Sequence, residues 1–309
     1  MHRLTAGAVL VVVLAIASTA TALVVGGGGP DRCVVHGKGT PRLVLAGLHA
    51  GGREHTGLAA GTVVQARNAR WHGRVPYALQ LGGEGGVCLS GGSIVGTWPP
   101  QTPWRTMHST AGIVVSGPVA TVEDTRVHDY GDAIRFVDGA RDWEVRRVHL
   151  SYVRDDCIED DWLHAGTVRD SLLDGCYNAF STRTYDGQDG VSDGSANLFT
   201  VEHSLVRLQP MRTYDGQGEP GTAGFFKWDP RGPRLVLRDD VFRADQRAGT
   251  VGLGLPPGKL AGCSDNVMVW LGRGRYPGRL PGCFTLTRDV QVWERAVRHW
   301  QAEQADHIA

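Results

Sequence analysis

The chain has 309 residues, with 32 Lys+Arg against 32 Asp+Glu, and 41% of its residues are hydrophobic. The balanced charge excludes a bulk electrostatic attraction to nucleic acid or to an anionic membrane, and the apolar content excludes a disordered chain. Glycine accounts for 43 residues, roughly twice the usual 7%; with no Gly-X-Y period, this means many tight turns and few long helices.

Behind His2 and Arg3 lies an apolar run from Leu4 to Val25. A short basic start, a Val/Leu/Ala core and the small-x-small sequence Ala20-Thr21-Ala22 describe a secretory signal over residues 1–22. The same run is long enough to span about 30 Å of hydrocarbon, so a signal anchor is the rival reading. Both readings export the rest of the chain, as a secreted, periplasmic or membrane-anchored protein, and the membrane is met only through this segment if it stays uncleaved. Residues 23–30 read as a Gly-rich linker.

An even set of six cysteines, at 33, 88, 157, 176, 263 and 283, suits an oxidising compartment. No CxxC is present, which argues against a zinc ribbon or a thioredoxin-type site. Proximity along the chain favours Cys33–Cys88, Cys157–Cys176 and Cys263–Cys283, with buried free thiols as the alternative.

The middle of the chain repeats. Strand-like segments begin at Val122, Val145, Val168, Val201 and Leu237, separated by 23, 23, 33 and 36 residues. A second series reads Asp132-Ala-Ile-Arg135, Asp156-Cys-Ile-Glu159, Asn178-Ala-Phe-Ser181 and Gly224-Phe-Phe-Lys227. Short alternating blocks bounded by Gly, Asp or Asn are strands. Two or three strands in about 23 residues leave no room for a crossover helix, so each strand stacks on its copy in the next coil: a parallel β-helix over residues 31–284. Ile134, Ile158, Phe180 and Phe226 form the inward column. The Asp132, Asp156, Asn178 column is expected at the turn before the strand, bonding the local backbone. Earlier, Val87–Val95 and Thr62–Gln65 fit further coils; later, so do Val251–Leu255 and Asn266–Leu271. Within residues 285–309, Val290, Trp293, Val297 and Trp300 share one face of a helix, expected to cap or pack against the solenoid.

These coils, over roughly residues 85–275, together with Arg154-Asp155-Asp156-Cys157-Ile158, resemble the right-handed parallel β-helix superfamily of pectate lyases, polygalacturonases and phage tailspikes. The resemblance implies a polysaccharide or cell-envelope glycan held along one face, and it carries Asp132, Asp155 and Asp156 over as catalytic carboxylates. Several polygalacturonase motifs are missing. The Asn-Thr-Asp motif appears only as Asp129-Tyr-Gly-Asp132, Gly175-Cys-Tyr-Asn178 stands in place of Gly-His-Gly, and the Arg-Ile-Lys motif is not at its usual spacing.

One step outward from the apolar column lie Arg135, Glu159, Ser181 and Lys227, a polar stripe at one strand spacing of about 4.8 Å per coil. The 33- and 36-residue spacings carry extra loops, and each loop contains one hexapeptide: Arg183-Thr-Tyr-Asp-Gly-Gln188 and Arg212-Thr-Tyr-Asp-Gly-Gln217. Tyr185, Asp186, Tyr214 and Asp215, with Arg135 and Trp228, are candidate sugar contacts. Duplicated Tyr-Asp-Gly turns are the alternative.

Asp155, Asp156, Glu159, Asp160 and Asp161 repel one another unless paired or metal-bound. Three readings stand side by side: an acid–base pair for glycoside hydrolysis, a calcium site reached through Asp160 and Asp161, and turn caps balanced by Arg135, Arg154 and Arg183. Lys227 adds a fourth possibility. A lysine crowded by cations has a lowered pKa and serves as the base of a β-eliminating lyase; a lysine paired with Asp229 or Glu159 is the structural alternative. The histidines at 128, 149, 164 and 203 lack metal-ligand spacing and are read as structural. The sequence therefore yields an exported glycan-acting β-helix, lyase or hydrolase, whose catalytic candidates are Glu159, Lys227, Asp155, Asp156, Asp132 and Arg183. It needs no cofactor, calcium being the one metal considered. A non-catalytic glycan-binding or envelope protein is the alternative.

Overall fold

The computed structural model describes Cys33 and residues 39–185, 188–212 and 215–305. The expected signal and linker, with Asp186 and Tyr214, lie outside the described residues. Among those residues, no helix is long and apolar enough to cross a membrane.

Strands run from Arg42 to Thr287, and every pairing between named strands is parallel. They wind into a parallel β-solenoid with three faces. Face A stacks Arg53–Leu58, Tyr77–Gly83, Ala111–Ser116, Asp132–Phe136, the later halves of His149–Glu159 and Leu172–Thr182, and Gly224–Trp228. Face B includes Thr121–Glu123, Trp143–Arg146, Gly166–Arg169, Leu198–Glu202 and Arg234–Arg238. Face C includes Arg126–His128, the earlier halves of the two long strands, Leu205–Leu208, Val241–Ala244, Asn266–Trp270 and Phe284–Thr287.

The expected registers hold residue for residue. On face B, Val122, Val145, Val168, Val201 and Leu237 are successive partners. On face A, Ile134 pairs with Ile158, Ile158 with Phe180 and Phe180 with Phe226, all inside the core. Each such side chain stabilises the stack by about 1.5–3 kcal/mol through burial. Thr62–Gln65 stacks on Val87–Ser90, and Leu89 in turn on Val122. Val251–Leu255 does not make the expected strand. Its one ladder contact is an isolated bridge from Gly252 to Gly224.

A buried polar ladder turns face B into face C. Asp124, Arg147, Asp170, His203, Asp239 and Asp265 all adopt φ between 49° and 56°, a left-handed conformation that bends the chain sharply from one face to the next. The tight corner leaves backbone N–H groups with no strand partner. Side chains of the next coil accept them: Ser171 N–H donates to Ser204 Oγ (3.3 Å), Ser204 N–H to Asp240 Oδ1 (2.9 Å) and Asp240 N–H to Asn266 Oδ1 (3.1 Å).

Among the described residues, two helices break the pattern. Helix α1 (Trp104–Met107) sits in an arm that crosses from face C back to face A. Helix α2 (Val290–Glu303) starts at Asp289, whose carboxylate caps Gln291 N–H. It buries Trp293 and Trp300 against Leu172, Leu205 and Val269. It therefore packs on the outer flank of face C and does not close the open end of the solenoid.

All three disulfides expected from proximity are present: Cys33–Cys88, Cys157–Cys176 and Cys263–Cys283. They point to an oxidising environment.

Candidate functional site

The polar stripe on face A is real: Arg135, Glu159, Ser181 and Lys227 are successive register partners. Lys227 lies two strand spacings from Glu159, about 9.6 Å. Its long side chain leans back across the small Ser181, and Nζ meets Asp156 Oδ2 at 2.8 Å. Asp156 is fully buried, and its other oxygen accepts from Asn178 Nδ2 at 2.7 Å.

Arg135 holds the other half of the cluster. Its guanidinium bonds Asp132 and lies 2.7 Å from Glu159 Oε1. Asp132 Oδ1 also accepts the backbone N–H of Asp156 at 3.2 Å. The Asp132, Asp156, Asn178 column thus bonds between coils. The expected bond to local backbone is made by Asn178, whose Nδ2 donates to the Phe180 carbonyl at 3.0 Å, but Asp156 and Asn178 fall inside the long strands and not in turns. Oxygens of Asp132, Asp156 and Glu159 lie within 4.8 Å of one another.

Asp161 stands at the rim of the cluster. Its Oδ1 accepts from Ser181 Oγ at 2.7 Å and from the backbone N–H of Arg183 at 2.8 Å. Asp160 faces the other way, fully buried, accepting from Trp143 Nε1, Trp162 N–H and His164 N–H. The structure thus does not bring Asp160 and Asp161 together around one point. The carboxylates that do converge already contact Lys227 and Arg135.

The arm supplies residues that the sequence did not flag. Trp104 Nε1 donates to Asp155 Oδ1 at 2.9 Å, and the Trp104 ring stacks on His108 at 4.6 Å. Arg135 donates to the backbone oxygen of His108 at 2.9 Å and lies 6.0 Å from the centre of the Tyr77 ring. Arg154 anchors the arm through the carbonyls of Trp98 and Pro99. It serves the arm rather than the acidic cluster.

The remaining candidates separate. Trp228 turns into the core, edge-on to Phe199 and Phe226, with Nε1 on the Pro233 carbonyl. It offers no open sugar platform. Tyr185 is exposed, and so is Arg183, whose backbone N–H holds Asp161. Asp215 accepts Gln217 N–H within its own turn. Gly216 brings that second hexapeptide against the arm, since a Cβ there would lie 3.3 Å from Pro103 Cβ.

Burial sets the electrostatics. Asp132 and Asp161 are each pushed up to about 6, first by burial and then by the charge of Asp156. Asp155 and Glu159 rise well above the usual carboxylate range, Asp155 through burial and Asp156, Glu159 through burial and Asp132. Lys227 moves upward. Burial opposes its charge, but Asp156, Asp155 and Asp161 outweigh that cost. The neighbours of Lys227 are carboxylates, the reverse of the cationic crowding that a lysine base requires. His108 is lowered by burial and by Arg135 and Lys227.

No family model matches this chain, and no curated protein or solved structure does.

Proposed function

We propose that the protein is an exported enzyme that cleaves an acidic polysaccharide along face A by general acid–base hydrolysis, on a solenoid of the right-handed pectate-lyase type. The observation that carries this reading is the geometry of Glu159: it stands partly open to solvent at the edge of the buried carboxylate cluster, 2.7 Å from the Arg135 guanidinium, and burial together with Asp132 raises its pKa. A carboxylic acid kept neutral next to ionised groups is what donation to a leaving glycosidic oxygen requires. Asp161, at about 6 and also at the rim, is the partner that takes a proton near neutral pH. Asp132 and Asp156 stand closer to Glu159 than the ~6.5–9.5 Å of an inverting pair; in this reading they fix Arg135 and Lys227. Arg183 and Tyr185, both exposed beside Asp161, receive the uronate and the sugar ring.

A β-elimination with Lys227 as base fits less well, because its carboxylate neighbours stabilise the ammonium. Calcium is not required, as Lys227 and Arg135 already supply cations to the converging oxygens.

The test is incubation of the purified chain with acidic glycans, with calcium and then with chelator. Reducing ends without unsaturated-uronate absorbance, lost in Glu159→Gln, support hydrolysis. Rising absorbance would replace it with elimination. A chelator-sensitive rate would bring calcium into the site. No product on a broad panel would leave the cluster as an electrostatic clasp, in keeping with the full burial of Asp132 and Asp156.

A further inference from the structure

A second cavity lies one corner away from the acidic cluster, where face A turns into face B. Its volume is about 380 Å³, and Trp162, His164, Asp138, Arg141, Asp142 and Asn197 are among its lining residues. That volume sits at the small end of ligand pockets. At ~30 Å³ per water it corresponds to about a dozen waters, a space suited to one or two sugar rings.

The walls are held in place. Asp160, fully buried, accepts from the backbone N–H groups of Trp162 and His164, and its Oδ1 lies 3.1 Å from His164 Nδ1. From the opposite wall, Asn197 Nδ2 donates to the Leu163 carbonyl at 2.8 Å. Between them Leu163 sits buried at φ 63°, a conformation that a bulky residue adopts only when its surroundings impose it. Gly194 packs so closely there that a Cβ would fall 2.3 Å from the Leu163 carbonyl oxygen. This strained turn presents Asp161 to the cluster and the next residue, Trp162, to the cavity.

We propose that this cavity is a carbohydrate-binding subsite for an uncharged sugar residue, seated on Trp162 with its hydroxyls shared between Asp138, Asp142 and Arg141. The side chains of these three residues carry no hydrogen bond or ion pair among the described residues, so they are available to a ligand. An indole beside acceptors and one fork donor is the chemistry that recognises a sugar ring. With Asp193 also on the wall, carboxylates outnumber the single guanidinium, which disfavours a uronate here. The inference builds on the glycan reading above: the substrate would carry neutral residues beside its acidic ones.

The experiment is calorimetric titration of the full chain with β-1,4-galactohexaose, xylohexaose and galacturonic acid hexamer. One neutral hexamer is expected to bind. Trp162→Ala should weaken it at least tenfold and the exposed Asp142→Asn severalfold. If Trp162→Ala does not fold, Asp142→Asn and Arg141→Ala carry the test. Failure of both neutral hexamers to bind, or unchanged affinity in these variants, overturns the subsite. Turnover of acidic glycan with no neutral binding would sink the subsite and leave the enzyme reading intact; Trp162-dependent binding with no turnover would do the reverse.

Discussion

Replacing Lys227 by methionine removes one charge from a buried pair and keeps most of the aliphatic stem. Asp156 is then fully buried with Asn178 as its remaining side-chain donor. Asp155 and Asp161, which also feel the lysine, lose its field. Breaking one side of a buried ion pair costs about 3–5 kcal/mol, because the partner charge is stranded. At about 2–4 °C per kcal/mol for large domains, the melting temperature should fall by roughly 6–20 °C at pH 7.5. The double variant Asp156→Asn, Lys227→Met removes both charges and should regain most of that loss. Lowering the pH should also narrow the gap, since protonated carboxyls no longer need the lysine. Scanning calorimetry of wild type, single and double variants at pH 5 and 7.5 measures this. A single variant that melts within 2 °C of wild type at pH 7.5, or a double variant no better than the single, would refute the stranded-charge argument.

Asp161 holds a proton at about 6 when folded and releases it near 3.8 when unfolded; its stabilising contribution is complete below about 4 and lost as pH rises through 6. His108 and His149, both lowered by burial, act in the opposite sense below about 6.5, so the clean readout is the difference between the two proteins: Asp161→Asn should melt progressively higher relative to wild type as pH rises from about 4 to 7. Trp104→Phe keeps the ring on His108 but takes the indole donor from buried Asp155; urea unfolding should show a loss of about 1–3 kcal/mol. Replacing Cys33 and Cys88 by serine opens a span of 55 residues, whereas Cys263 and Cys283 close one of 20. Losses of about 4 and 3 kcal/mol are expected, and the reverse order would show that strain or residual structure outweighs loop entropy.

The face A and face B registers were legible because stacking forces each coil to present the same side-chain parity as its neighbour. Ile134, Ile158, Phe180 and Phe226 had to share a column once the 23-residue period was seen. The stripe Arg135, Glu159, Ser181, Lys227 came from the same parity. The contacts between coils were not legible. The arm with Trp104 and His108 occurs once, so no repeat announces it, and its fold onto Asp155 depends on Arg154 catching two distant carbonyls. The direction of Lys227 was also hidden. Strand register gives its position, but the small Ser181 lets it reach a carboxylate two coils back. Trp228 looked like a surface aromatic beside a lysine. Its half-buried ring instead packs edge-on against Phe226 and Phe199 at the border of the core.

Helix α2 leaves the last strand and doubles back along face C, so that Trp300 Nε1 donates to the Asp170 carbonyl, 130 residues earlier in the chain. The helix thus straps the final coils together from outside, while the Cys33–Cys88 bond ties the first coils at the other end. A solenoid ordinarily frays from its tips, coil by coil. Here both tips are tied, and fraying from either end must first lift Trp300 off the flank of the solenoid or open the Cys33–Cys88 bond.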